Sequence, residues 1–285
     1  MAPFKSSKGR DAGKKLEIFR STSIGQGIGG GGGGDAGPTP ITASGGTKTT
    51  FPSWVIHEFT GSGTFSIDSG TGFINLLLVA GGTSGAPNRG GGGGAGGALH
   101  RCNIPVTPSS SYPVSIGAGG SPVGSNSTFG PTFTAYGGAS ARGSNTSPIG
   151  SVNIRTIPAP LSPQGQGGGG GDDPSAGGGG GAGTPGFPTS EPHPVQNTAA
   201  GGRGIILDAI PTAYGDNGYF AGGGGGGGGP FSPGGLGGGG DSPSSPYGNG
   251  GAGTANTGGG GGGGADGGGG GTGGSGVCIV YYEAP

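Results

Sequence analysis

The sequence predicts a mostly β fold with little or no α-helix, in which a small β-sandwich or β-roll is combined with a bundle of polyglycine-II-type helices. Three observations support this prediction. Short segments rich in β-branched and aromatic residues occur between 54 and 157, bounded by Gly, Pro or Ser. Eight runs of four to eight consecutive glycines punctuate the chain. One more apolar segment, VCIVYY (277–282), follows the last of these runs.

Besides VCIVYY, seven segments have the length and composition of strands. The first five are WVIHEF (54–59), GTFSID (63–68), FINLLLVA (73–80), ALHRCNIPV (98–106) and YPVSIG (112–117). SVNIRTI (151–157) and GIILDAI (204–210) are candidates for two more. FINLLLVA and VCIVYY are apolar on both faces, which predicts central strands or strands covered on both sides. The alternation of Tyr112, Val114 and Ile116 predicts a half-buried strand.

Glycine supplies 87 of the 285 residues and proline 25, a composition typical of disordered chains. The charged fraction is only 9% and the net charge is −1, which is unusual for disorder. The glycine runs are therefore either flexible linkers or closely packed segments. Packed runs would adopt a three-fold helix that rises about 3.1 Å per residue and bonds only to its neighbours. The segments between runs would then be loops at the two ends of the bundle.

The composition divides the chain into three parts. Residues 1–20 are basic and are predicted to be a docking peptide, 21–50 to be a Gly/Pro/Thr linker and 51–285 to be the glycine-rich β domain. Within that domain we expect a strand-rich part (51–160), a polyglycine bundle with loops (161–276) and a closing strand (277–285). The glycine run at 29–34 belongs to the linker, the run at 90–94 joins two strands, and the six runs from 167 onward are expected to form the rigid frame.

The basic segment 1–20 combines apolar and positively charged side chains. It carries six Lys and Arg residues against Asp11 and Glu17, a balance of +4. One interpretation is a solvated tail, and the other is a docking peptide whose apolar side chains enter another subunit while its Lys and Arg residues meet an acidic surface. The docking candidates are Phe4, Lys5, Lys8, Arg10, Lys14, Lys15, Leu16, Phe19 and Arg20. Nucleic acid is not an expected partner, because no aromatic residues are interleaved with the charges.

The segments between the later glycine runs carry much of the aromatic content of the second half of the chain. Aromatic side chains held on rigid loops are a common recognition device. The candidates for such recognition contacts are Tyr214, Tyr219, Phe220, Phe231 and Tyr247. The alternative is that these rings only cover the ends of the polyglycine bundle.

Chemistry-bearing residues are sparse, so we expect no enzymatic activity, no cofactor and no metal. His57, His100 and His193 are isolated from one another, and His57 and His100 are predicted to be structural residues of strands. Cys102 and Cys278 are expected to be buried free thiols, with a disulfide between them as the alternative. No apolar stretch approaches the roughly 20 residues of a membrane-spanning helix, and we expect no membrane insertion. The N-terminus shows no secretory signal pattern.

Five phrases occur in an order that resembles the glycine-rich domain of phage tail-fibre and adhesin proteins. They are FINLLLVAGG (73–82), GGGGGAGGA (90–98), YPVSIGAGG (112–120), GSNSTFG (124–130) and GSGVCIVYY (275–282). The resemblance covers about 54–285, and it implies a lattice of polyglycine helices like that of some host-recognition tips. The segment MAPFKSSKGR resembles the start of marine cyanophage structural proteins.

These features together predict a virion structural protein of a tailed phage, as a tail-fibre or tail-appendage component that presents loops to the host surface. The expected partners are other virion proteins through residues 1–20, further copies of the chain within the particle, and a host-surface glycan or membrane protein. A capsid- or tail-decorating protein without a receptor role is the main alternative. A free antifreeze or surface-coat protein made of polyglycine helices is a remote one.

Overall fold

The computed structural model describes residues 39–139, 176–188, 199–229 and 231–285. Within these ranges the chain forms twelve β-strands and no α-helix, which confirms the mostly β fold class. The strands are β1 Thr42–Ser44, β2 Thr47–Thr50, β3 Trp54–Phe59, β4 Gly63–Ser69, β5 Gly72–Val79, β6 Ala98–Val106, β7 Ser111–Ser115, β8 Ser127–Phe129, β9 Phe133–Ala135, β10 Ile205–Ile206, β11 Tyr219–Phe220 and β12 Val277–Glu283. The described part contains no helix long and apolar enough to cross a membrane.

Ten of the strands form two five-stranded antiparallel sheets. Sheet I has the order β1-β4-β7-β8-β9, and sheet II has the order β2-β3-β12-β5-β6. One cluster of buried side chains, here called the inner core, includes residues from both sheets, among them Phe65 and Ile67 from β4 and Leu76 and Leu78 from β5. The two sheets therefore pack face to face as the predicted β-sandwich.

Aromatic rings fill much of the inner core. Tyr112 stacks on Phe129 with ring centroids 5.0 Å apart, and Phe65 packs beside both rings, at 6.4 Å from Tyr112 and 6.0 Å from Phe129. Phe65 and Phe129 have no exposed surface. Burial of such a side chain stabilises the fold by about 1.5–3 kcal/mol.

Strand β12 lies in the centre of sheet II, hydrogen-bonded to β3 on one side and β5 on the other. Its residues Val277 to Tyr282 are all buried. Cys278, Val280 and Tyr282 point into the inner core, because alternate residues of a strand face opposite sides. The prediction that this segment and FINLLLVA are central strands or strands covered on both sides is confirmed, since both lie inside sheet II; β5 is covered on both faces from Leu76 onward, whereas Phe73 is exposed.

The outer face of sheet II is covered by the glycine-rich half of the chain. Val277, Ile279 and Tyr281 belong to a second buried cluster, which also contains Ile210 and Phe220 from the segment after 199. Sheet II is thus the middle layer of three. This arrangement explains why its strands read as apolar runs rather than as an alternating pattern.

The sequence prediction for the linker is wrong at its end, because β1 and β2 lie within 21–50. Both strands are short and rich in Thr and Ser, and β1 buries a single residue, Ala43. They are stable as strands because β1 pairs with β4 and β2 pairs with β3. The turn between them uses Gly45 and Gly46, both with positive φ.

Other strand predictions differ in extent. The segment GIILDAI contributes only the two-residue strand β10, and SVNIRTI lies outside the described residues. Strands β8, β9 and β11 were not predicted, since each has only two or three residues. The docking candidates in 1–20 and the glycine runs at 29–34 and 167–171 also lie outside the described residues.

Candidate functional site

The described glycine-rich segments lie side by side and bond to one another through the backbone. We call them the glycine frame, which comprises the runs 81–86, 90–97, 176–184, 199–204, 221–229, 232–235, 237–240, 248–254, 258–265 and 268–276. The run at 90–94 does join β5 to β6, but it is also part of the frame. Gly92 donates to the Gly177 carbonyl and Gly93 to the Gly261 carbonyl.

The N–H groups of a run point to three different neighbours in turn, and the pattern repeats after three residues. In the run 258–265 the donor–acceptor pairs are Gly260–Gly222 and Gly263–Gly225, Gly261–Thr83 and Gly264–Ala86, and Gly262–Gly251 and Ala265–Gly248. The carbonyls of the same run accept hydrogen bonds from three further segments. With the donor named first, these pairs are Gly93–Gly261, Gly96–Gly258, Gly240–Gly260, Gly271–Gly262 and Gly274–Gly259. This run therefore has six bonded neighbours.

The close spacing of the runs leaves room only for glycine. A Cβ added to Gly224 would lie far inside van der Waals contact with the Gly261 carbonyl oxygen, and one added to Gly261 would meet Gly271 in the same way. At the edge of the frame burial repeats with a period of three. Gly268, Gly271 and Gly274 are buried, whereas the residues between them are exposed or half-exposed.

The hydrogen-bond register shows which loops share an end of the frame. Gly82 and Gly85 donate to Gly274 and Gly271, so these two segments are antiparallel; the pairs Gly260–Gly222 and Gly263–Gly225 show parallel neighbours. Strand β5 leads into the frame at the end of the frame that adjoins the sandwich, here called the sandwich end. This fixes the direction in which every other described run crosses the frame. The loops around Asn88, Phe231, Tyr247 and Asp266 all lie at the opposite end, here called the distal end.

Two of the five predicted contact residues lie at the distal end. Tyr247 is 75% exposed and Phe231 is 45% exposed. Tyr214 and Tyr219 lie at the sandwich end and are half-buried, with Tyr214 packed against the second buried cluster. Phe220 has no exposed surface, so its prediction as a surface contact is wrong. It packs against the outer face of sheet II, where its ring replaces water on an apolar surface.

Side chains at the distal end tie loops and runs together. The Arg89 guanidinium donates to Asp266 Oδ2 at 2.8 Å and links two loops that are far apart in sequence. Asp241 Oδ1 accepts from the Gly234 N–H and Asn249 Oδ1 accepts from the Gly269 N–H, each at 2.7 Å. Sequence reasoning missed these residues, because no local pattern marks a pair whose members meet only in the folded frame.

The buried polar groups of the sandwich have structural partners. His57 Nδ1 lies 2.7 Å from the Gly45 carbonyl oxygen and must donate to it, so Nε2 accepts from the Tyr282 hydroxyl at 3.2 Å. Burial lowers the pKa of His57, with a smaller opposing effect of the Gly45 hydrogen bond. The ring is therefore neutral at pH 7, as expected for a structural histidine.

A second histidine lies near the exposed thiol. His100 Nε2 is 2.9 Å from the Tyr281 hydroxyl and 3.6 Å from Cys102 Sγ. Burial raises the pKa of Tyr281 to about 12, and Cys102 adds to this shift.

Cys102 and Cys278 are both free thiols, but only Cys278 is buried, so the prediction of two buried thiols is wrong for Cys102. Burial raises the pKa of Cys278 far above its usual range. The described residues contain no group of three or more potential metal ligands.

Comparison with known proteins agrees with this architecture. The model of a family described as a glycine-rich domain matches residues 58–283. The match includes β5, β6, β12 and every described run of the glycine frame. No curated protein matches the chain at a significant level. Because the family model covers well over half of the 285 residues, the chain belongs to the glycine-rich domain family.

Proposed function

We propose that the chain is a structural protein of a phage virion, a tail-fibre or tail-appendage component whose distal loops recognise the host surface. The observation that carries the proposal is the exposure of Tyr247 and Phe231 on short loops at the distal end of the frame. Exposed aromatic rings on a rigid support lose little conformational entropy on binding and are common contact residues. The proposal assigns no catalytic role to the chain.

The proposal includes a conformation for the glycine runs. We propose that each run is a polyglycine II helix, which has three residues per turn and no internal hydrogen bonds. The three-residue repeat of donors in 258–265 and the three-residue repeat of burial in 268–276 support this conformation. Such a frame is held by backbone groups, so it would tolerate changes in its distal loops.

The remaining parts of the proposal concern the particle. Residues 1–20 would attach the chain to other virion proteins, and several copies would assemble there. The ligand of the distal loops would be a glycan or a membrane protein of the host. The basic charge of 1–20 supports an acidic docking surface on the particle partner.

The test uses purified particles that carry the chain. Detection of the chain in the particle by mass spectrometry comes first, and its absence would overturn the virion assignment. Adsorption to host cells is then measured for Tyr247→Ala and Phe231→Ala. Loss of a contacting aromatic ring should reduce binding by about tenfold or more.

Leu236→Ala is the matched control, because Leu236 is 46% exposed but lies at the sandwich end of the frame. Its adsorption should equal that of the parent particle. If the chain is present in particles and all three variants adsorb normally, the receptor role is wrong, and a decorating protein is the better assignment.

A further inference from the structure

A groove of about 490 Å³ lies at the end of sheet II that is remote from the glycine frame. Strands β5 and β12 join the frame at Val79 and Val277, whereas the groove lies at their other ends, beside Phe73 and Glu283. The side chains that matter for its chemistry are Trp54, Phe73, Asn75, Asn103 and Glu283. Its volume is in the range of small-molecule sites.

The strand register places a carboxylate between two aromatic residues. Trp54 of β3 lies directly opposite Glu283 of β12, so their side chains share one face of the sheet with Cβ atoms about 4.5–5.5 Å apart. On the other side of β12, Asn75 of β5 lies opposite Tyr281. Phe73 stands two residues before Asn75 and therefore on the same face.

Two groups in this groove, the Phe73 ring and the Glu283 carboxylate, are not used by the described part of the fold, whereas Trp54 packs on Tyr281 and Asn75 Oδ1 accepts from the Asn103 N–H at 3.1 Å. Phe73 is 60% exposed, although it is a large apolar residue of a strand. The Glu283 carboxylate has no ion-pair or hydrogen-bond partner among the described residues. It is also the sole charged side chain in the lining of the groove as described. The groove therefore presents aromatic surface and a carboxylate that has no partner among the described residues.

We propose that this groove binds an organic ammonium ion. A cation is attracted by the faces of aromatic rings, and Trp is the strongest partner of this kind. The Glu283 carboxylate adds a direct charge interaction. The NH₂ group of Asn75, whose Oδ1 already accepts from the Asn103 N–H, and the side-chain amide of Asn103 supply hydrogen-bonding groups for polar substituents of the ligand. The same charge disfavours anions. The inference is independent of the function proposed for the distal loops, which lie at the other end of the domain.

Trp54 is the single tryptophan of the chain, so its fluorescence reports directly on the groove. Choline is titrated into the full-length protein, with 3,3-dimethylbutan-1-ol as the neutral ligand of the same shape. We expect choline to change the fluorescence in a saturable way and to bind about tenfold or more tightly than the alcohol. Higher salt should weaken choline binding. Equal binding of the two ligands, or no binding of choline by fluorescence and calorimetry, would overturn the proposal.

Variants separate the two interactions. Glu283→Gln should weaken choline binding about tenfold and leave the alcohol unaffected, and Phe73→Leu should weaken choline binding several-fold. The matched control is Asp208→Asn, which removes an exposed carboxylate outside the groove and should bind as the parent does. If Glu283→Gln and Asp208→Asn bind choline equally well, the groove is not the site.

The ammonium group could belong to a soluble molecule or to a lipid headgroup, and vesicles of phosphatidylcholine distinguish the two sources. Co-sedimentation with these vesicles, together with binding of free choline, assigns the headgroup. Binding of free choline alone assigns a soluble ligand.

Discussion

The sandwich and the glycine frame belong to one domain, but they are held together in opposite ways. The sandwich has a core of interlocking side chains such as Phe65, Leu76 and Phe129. The frame has almost no side chains inside it, and its runs are joined by N–H···O bonds between glycines. A side-chain core loses stability when atoms are removed, whereas the frame should lose stability when atoms are added.

The largest expected effect is in the sandwich. Phe65→Ala should lower the free energy of unfolding by about 3–5 kcal/mol, because it removes a fully buried ring and leaves a cavity. Denaturant unfolding of the folded variant measures this. Phe73→Ala is the control, since Phe73 is mostly exposed and its loss should cost much less. A cost below about 1 kcal/mol for Phe65→Ala would mean that the inner core is not what holds the sandwich.

In the frame, one added methyl group should destabilise the protein at one position and leave its stability unchanged or slightly higher at another. Gly224→Ala should destabilise the protein by about 1–3 kcal/mol or more, because the new Cβ collides with the backbone of Gly261. Gly269→Ala should be neutral or slightly stabilising. There the new Cβ meets only the Asn249 side chain, at 3.5 Å, and alanine has fewer unfolded conformations than glycine. Equal effects in denaturant unfolding would contradict close packing of the runs.

The smallest expected effect is a pH dependence of the free energy of unfolding, which comes from His57 in the sandwich. The folded-state pKa of His57 is lowered by burial, so the unfolded chain binds more protons than the folded one at mildly acidic pH. The stability from neutral His57 is fully present above about pH 6.5 and is lost as the pH falls below that value, by at most about 1.4 kcal/mol per pH unit. Unfolding measured from pH 7.5 to 5 should therefore be steeper for the parent than for His57→Asn. The carboxylates contribute to the pH dependence of both the parent and His57→Asn, so their effect cancels in the difference between the two slopes. Identical slopes would show that His57 does not titrate differently on folding.

The sequence predicts the sandwich better than the frame, for a physical reason. The β-branched and aromatic residues of β3, β5, β6 and β12 carry their own pattern, and these strands occur where that pattern places them. Strands β1 and β2 are Thr-rich and are stabilised by pairing with their neighbours, which no local signal shows. The runs of the frame are nearly identical in sequence, so nothing in them specifies which run lies beside which.

The contact residues of the candidate site could be predicted from the sequence only in part, for the same reason. Phe220 and Phe231 both stand near long glycine runs, yet Phe220 is buried against sheet II and Phe231 is exposed at the distal end. Their difference depends on which end of the frame each loop occupies. That property follows from the register of the runs and not from residue type. The link between Arg89 and Asp266 could not be predicted for the same reason.

The path of the chain through the frame restricts how proteins of this architecture can change over evolution. The chain leaves the sandwich after Val79, returns to it for β6 to β9 and is back again at Val277, and each described run crosses the frame once. From 221 to 276 the described runs alternately lead away from the sandwich and back to it. Runs can be gained or lost only in pairs, whereas a distal loop can change in length or composition without affecting any other loop. Diversity should accumulate in the distal loops, and the size of the frame should change in steps of two runs.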